Sequence, residues 1–192
     1  MERKLFEKMK MILRHRFLKD GPLTCKAVLI IGTFNPDVEC NKAEFFYGRA
    51  KNFFWVLLPA MFGETSLKDN TAGQKEFLHR HDIELTDLIL EVEMDEKDIC
   101  SYGDDKLQNV VKYNTDNILE CLKKGKTKEV YFTRKSFDKS VSGIRDEIMK
   151  IKEYCDKNNI KFRYLPTPSR FYNEKKLEEW RECFKEKKDH DI

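Results

Sequence analysis

Apolar positions along the chain switch between a spacing of three to four residues and short continuous or alternating runs, the two periodicities of helices and strands. Leu5, Met9, Ile12, Leu13 and Phe17 fall at helical spacing, which predicts a helical N-terminal extension over residues 1–20, broken at Asp20-Gly21-Pro22. The continuous run Ala27-Val28-Leu29-Ile30-Ile31 reads as a strand buried on both faces, as in the middle of a parallel sheet. Helical spacing returns over residues 52–62, with Pro59 near the last turn, and over 71–80. Residues 83–90 alternate enough for a strand, and the acidic stretch 91–105 reads as a loop. Val111, Ile118, Cys121 and Leu122 predict a helix over 108–123, followed by a short strand over 129–133. The most regular helix covers 142–157, where Ile144, Ile148, Ile151 and Cys155 form one stripe and Asn158-Asn159 supplies a stop. A strand over 160–165 and a charged C-terminal helix within 174–190, its periodicity running over 177–188, complete the chain.

Strands alternating with helices define an α/β class with a mostly parallel central sheet. No linker or internal repeat divides the 192 residues, so one domain, 1–192, is expected. Open α/β sheets bind ligands at the carboxyl ends of their strands. Two loops of unusual composition fall there, residues 32–37 and 165–170.

Composition narrows the function classes. Hydrophobic residues make up 40% and charged residues 37%, with a mean hydropathy of −0.68. No run approaches the ~20 apolar residues of a spanning helix, so no membrane role is expected. The net charge of +3, from 37 basic and 34 acidic residues, neither requires nor forbids a nucleic-acid partner. The charged N-terminus lacks an apolar core region, so a cytoplasmic protein is expected. The cysteines show no metal-ligand spacing and read as buried or idle thiols. His15, His79, His81 and His190 read as surface residues.

The chemistry concentrates in three segments. Asn35 precedes Pro36, which biases its backbone to an extended form and would fix its carboxamide, able to accept a hydrogen bond from a water and orient it. The stretch Phe45-Phe46-Tyr47-Gly48-Arg49-Ala50-Lys51-Asn52-Phe53-Phe54-Trp55 sets aromatics beside cations, a combination suited to a stacked base next to a sugar–phosphate backbone. In Leu165-Pro166-Thr167-Pro168-Ser169-Arg170, prolines stiffen a loop whose hydroxyls can bond phosphate oxygens.

Taken in order, Gly32-Thr33-Phe34-Asn35-Pro36, the Tyr47 to Trp55 stretch and Leu165-Pro166-Thr167-Pro168-Ser169 resemble the uracil-DNA glycosylase superfamily. The pattern looks closest to its mismatch-specific uracil/thymine and hypoxanthine-DNA glycosylase branches, over about residues 27–170. The resemblance implies a three-layer α/β/α sandwich around a four-stranded sheet and a monofunctional glycosylase needing no metal or cofactor. It implies that Asn35 is the catalytic, water-positioning residue and that Phe34, Tyr47, Asn52 and Asp87 bind the base. Arg49, Lys51, Pro166, Thr167, Ser169 and Arg170 would contact DNA. The first motif lacks an acidic water activator unless Asp37 turns in, and the second lacks the histidine of some relatives.

The expected function is base excision: hydrolysis of the N-glycosidic bond of a deaminated base, uracil or hypoxanthine, flipped out of DNA by a monomer. Flipping costs a few kcal/mol and least at a mismatch. The alternative is a weak or inactive member of the fold that only binds nucleic acid or a nucleotide. DNA affinity would come from Arg49, Lys51, Arg134, Lys135, Lys139 and Arg170, and would fall steeply with salt.

Overall fold

The computed structural model describes residues 10–18, 21–101, 106–137 and 142–185. The first half of the chain forms β1 (Lys10–Arg14), β2 (Val28–Gly32), α1 (Phe54–Met61), α2 (Thr71–Arg80), β3 (Ile83–Asp87) and β4 (Ile89–Asp95). A 3-10 turn at Glu96–Asp98 follows, then β5 (Asn109–Tyr113), α3 (Thr115–Lys123), β6 (Glu129–Phe132), α4 (Ser142–Lys157), β7 (Lys161–Tyr164) and α5 (Glu174–Phe184).

β3, β2, β6 and β7 form, in that order, a four-stranded parallel sheet. The apolar run of β2 places it centrally, and its alternation divides the core in two. Leu29 and Ile31 pack with Ile118 and Leu122 of α3 and with Ile144, Ile148 and Ile151 of α4. Ile30 faces the other way, toward Phe54 and Leu58 of α1, Phe77 of α2 and Trp180 of α5. The three-layer α/β/α sandwich is therefore present. Helix starts follow local chemistry: Asn70 Oδ1 accepts from Gly73 N at 3.0 Å before α2, and Asn173 Oδ1 from Lys176 N at 2.8 Å before α5.

A second, three-stranded antiparallel sheet, β1-β4-β5, replaces three expected elements. Residues 10–14 of the expected N-terminal helix are β1; residues 1–9 and 19–20 lie outside the described part. The Met9, Ile12 and Leu13 spacing fits a helix better than a strand, in which Ile12 and Leu13 face opposite ways, but pairing with β4 decides it. Lys10 of β1 meets Glu93 at 2.7 Å across the ladder, and Leu13 enters the core. The acidic stretch expected as a loop begins as β4, whose Leu90, Val92 and Met94 are buried at alternate positions while its acids face outward. Residues 109–113, expected to open a helix, are β5, and α3 starts only at Thr115.

Cys25–Cys121 and Cys40–Cys100 are disulfides, which corrects the reading of these four cysteines as idle thiols. Cys155 is a free thiol, its pKa pushed up to about 12 chiefly by burial. Among the described residues no helix is long and apolar enough to cross a membrane. The crossover from β2 leads to β3 on one side, whereas β6 lies on the other. The crevice beyond the carboxyl ends of β2 and β6 is thus the topological switch point of the sheet.

Candidate active site

The loop leaving β2 is clamped by the chain that continues from β1. His15 bridges to Pro36, Arg16 N donates to Asn35 O at 2.8 Å, and Asp37 N donates to Arg14 O at 2.8 Å. Asn35 is buried. Asn41 Oδ1 accepts from Ala43 N at 3.2 Å and Asn41 Nδ2 donates to Pro36 O at 2.8 Å, which fixes the orientation of that amide. The same Nδ2 donates to Asn35 Oδ1, and Arg49 Nη2 reaches that oxygen at 3.4 Å. Two donors thus hold the Asn35 oxygen. This corrects the expectation that it accepts a hydrogen bond from a water; the amide group left to face a ligand is its Nδ2 donor. Asp37 does not turn in: it is exposed and 3.6 Å from Arg16.

The acid at this crevice is Asp87, at the end of β3 and in register with Gly32. A Cβ on Gly32 would lie 2.1 Å from Asp87 Oδ1 and 2.7 Å from the Tyr47 hydroxyl, so glycine here lets both groups converge above the strand end. Asp87 Oδ2 is 2.6 Å from His15 Nε2, in a buried pair. His15 is therefore not a surface residue. The Tyr47 hydroxyl lies 3.2 Å from Thr133 Oγ1, just beyond β6, and Thr133 Oγ1 donates to Ile31 O at 3.3 Å. Burial and the Asp87 charge raise the Tyr47 pKa well above that of an ordinary tyrosine. Its ring stacks on Phe54 at 3.9 Å and 9°, and its backbone is held at φ 57°. Phe34 is half-buried, edge-on to the His15 ring at 5.8 Å.

The two remaining segments are zipped together. Asn52 bridges to Ser169, Phe53 N donates to Pro168 O at 2.8 Å, and Arg170 N donates to Lys51 O at 2.9 Å. Asn52 Oδ1 accepts from Phe54 N at 3.0 Å, bracing the start of α1. Gly48 sits in a turn where a Cβ would come 2.9 Å from Phe45 O. Indoles anchor both loops: Trp55 Nε1 donates to Phe46 O at 2.8 Å and Trp180 Nε1 to Pro166 O at 3.0 Å. Pro166 is consequently buried and presents no surface to DNA, a correction to its expected role. Lys51, Thr167 and Arg170 are exposed, and Ser169 is half-buried.

Lys176, which the sequence does not single out, is buried beneath this loop. Its Nζ donates to Ser169 O at 3.0 Å and Phe171 O at 2.7 Å. Desolvation lowers its pKa. Phe171 stands exposed beside it, with the ammonium 4.0 Å from the ring centroid. Of the other expected cations, Arg134 Nε donates to Ser136 O at 2.6 Å, Lys135 is 3.8 Å from Glu179, and Lys139 lies outside the described residues. His79 is exposed, His81 is paired with Glu64 at 2.6 Å, and His190 lies outside the described residues. Among the described residues no cluster of three or more His, Cys, Asp or Glu side chains is arranged to hold a metal ion.

The architecture is that of a known class of α/β/α proteins. A solution NMR structure from Methanosarcina acetivorans, described as a "putative Uracil DNA glycosylase", superposes with a TM-score of 0.53 at 19% identity, over 84% of this chain and 93% of that one. The two proteins share a fold. No protein-family model and no curated protein sequence matches the chain.

Proposed function

We propose that the protein is a monofunctional DNA glycosylase that hydrolyses the N-glycosidic bond of a deaminated base, uracil or hypoxanthine, flipped out of DNA. One observation carries the reading. Asp87 and Tyr47 converge over Gly32 at the switch point, with Asn35 and Arg49 held together and the 165–170 loop zipped to Lys51 and Phe53. The shared fold supports it.

In this reading the extruded base enters the crevice against Tyr47 and Asp87. The glycosidic bond breaks with positive charge building on the sugar and negative charge on the departing base. The Arg49 guanidinium and the Asn35 Nδ2 donor oppose the second charge, a fixed array needing no reorganisation as the bond breaks. Lys51, Thr167, Ser169 and Arg170 grip phosphates on either side, and no metal or cofactor takes part. With the Asn35 oxygen engaged and Asp37 turned outward, neither activates the attacking water, so turnover is slow and favours mismatched sites.

The test is a strand-nicking assay on oligonucleotides carrying uracil, hypoxanthine, xanthine or thymine opposite each normal base, with alkali to cut abasic sites. Cleavage at uracil or hypoxanthine, lost in Asn35→Ala, is the expected result. A folded protein that leaves every lesion intact refutes the reading. The engaged Asn35 oxygen and the outward Asp37 favour a second reading, binding without excision. Retention of lesion-bearing DNA with no abasic product would establish that one.

A further inference from the structure

We propose that His15 is a positioning residue that sets the hydrogen-bonding sense of the base site. It holds Asp87 so that the crevice offers a pure acceptor, which selects the ring N–H that deamination creates. The proposal rests on the reading of the protein as a glycosylase for deaminated bases.

The far side of the imidazole decides which ring nitrogen carries the proton. His15 Nδ1 faces two backbone donors, Phe17 N at 3.1 Å and Leu18 N at 2.9 Å. A nitrogen that accepts twice carries no proton, so the proton is on Nε2 and is donated to Asp87 Oδ2 at 2.6 Å. The ring has no exposed side-chain surface and is packed by Phe17, Phe34 and Phe46. Turning it over would set a carbon against the two backbone donors. His15 is therefore a fixed donor, and whatever occupies position 87 must offer it an acceptor.

The other carboxylate oxygen faces the crevice. Gln74 Oε1 is the one buried side-chain polar atom without a partner among the described residues. Asp87 Oδ1 has no partner there either, so it is an atom that opens to solvent, consistent with the 7% of the Asp87 side chain left exposed. The neighbouring Tyr47 hydroxyl does not claim it. Thr133 gives its own proton to Ile31 O, so the tyrosine proton is directed to Thr133 Oγ1.

An acceptor at this point reads the chemistry of deamination. N1 of adenine and N3 of cytosine carry lone pairs, whereas the same atoms in hypoxanthine and uracil carry hydrogen. A carboxylate oxygen accepts from N–H and repels a lone pair. Guanine and thymine also carry a ring N–H, so this contact separates the deaminated bases from their parents and not from those two.

Asp87→Asn turns the logic into a test. The fixed His15 donor claims the amide oxygen, so the amide NH2 faces the base and the sense reverses. Binding of free uracil and hypoxanthine, followed by NMR titration, is expected to weaken about 10–100-fold while cytosine and adenine gain relative to them. Removing the donor releases the amide. His15→Phe in the Asp87→Asn background should restore uracil and hypoxanthine binding at least several-fold. His15→Gln, which offers either a donor or an acceptor, serves if the phenylalanine variant does not fold. An imidazole 15N spectrum of the wild-type protein should show His15 protonated at Nε2. The inference is overturned if Asp87→Asn keeps the wild-type order of base affinities, if the second substitution restores nothing, or if His15 carries its proton on Nδ1. In those cases excision by the wild-type protein leaves the glycosylase reading standing. A wild-type protein that excises no deaminated base removes that reading instead.

Discussion

Gly32→Ala is the most economical probe of the crevice. Gly32 is not in the left-handed region, unlike Gly63 at φ 72° and Gly125 at φ 73°, so the alanine backbone is unstrained and sterics alone decide the outcome. The new methyl would lie 2.1 Å from Asp87 Oδ1 and 2.7 Å from the Tyr47 hydroxyl. The carboxylate must retreat by roughly 1 Å or more, which breaks its 2.6 Å bond to His15. Overpacking costs about 1–3 kcal/mol, and the lost charge-assisted bond adds about 1.5–3 kcal/mol. Reduced freedom of the unfolded chain returns about 0.4–1 kcal/mol. The net expectation is a loss of about 2–4 kcal/mol, or roughly 5–12 °C in Tm for a chain of this length. Urea unfolding of Gly32→Ala, Asp87→Ala and the double variant measures it. Most of the clash is with the carboxylate, so the alanine at position 32 should cost at least about 1.5 kcal/mol less once Asp87 is truncated. A loss under about 0.5 kcal/mol in the wild-type background, or an equal loss in both backgrounds, refutes the geometry.

Two further outcomes follow from the same surroundings. Arg170 is exposed on the loop zipped to Lys51, so Arg170→Ala should make the slope of log K against log salt less negative by about 0.9 in a DNA-binding titration; an unchanged slope removes it from the interface. Tyr47 has a folded-state pKa raised by burial and by Asp87, so its contribution to stability is complete below the unfolded value of about 10 and is lost as pH rises through the folded one. Urea unfolding at about pH 9 and about pH 11 should therefore show a smaller alkaline loss in Tyr47→Phe than in the wild-type protein, and equal losses would contradict the raised value.

The parallel core was legible because each of its elements buries a face whose spacing belongs to one period. β2 is apolar throughout, and α4 repeats Ile144, Ile148, Ile151 and Cys155 on one stripe. The antiparallel sheet was not. Its outer strands leave Met11, Ile12 and Val111 exposed beside Lys10, Arg14 and Lys112, so no clean alternation marks them, and Met9, Ile12 and Leu13 satisfy a helical template before any partner is known. The candidate site divides along the same line. Asn35, Tyr47 and Asp87 were named from the ordered motifs and the resemblance they carry, and the structure brings Tyr47 and Asp87 together over Gly32. His15 was misplaced because its burial depends on β1 pairing with β4, some eighty residues away. Had residues 10–15 been read with a period of two, Leu13 and His15 would have fallen on one face. The Asn35 amide was read in the wrong sense because its orientation is settled by Asn41, and neither composition nor spacing marks Asn41 as turned inward.

β1 reaches the crevice from outside the central sheet. It pairs with β4 alone, and His15 is the residue just beyond its last rung. It is tied to the crevice twice, through the His15–Asp87 pair and through the backbone bonds that join Arg14 and Arg16 to the loop of Asn35. The edge strand is in that sense a shared tether: the few residues that place the His15 donor against Asp87 also pin the loop that carries Asn35, so a change in it is felt at both ends of the crevice. Selection, or a designer, therefore cannot retune Asp87 through residues 14–16 without also disturbing the support of Asn35.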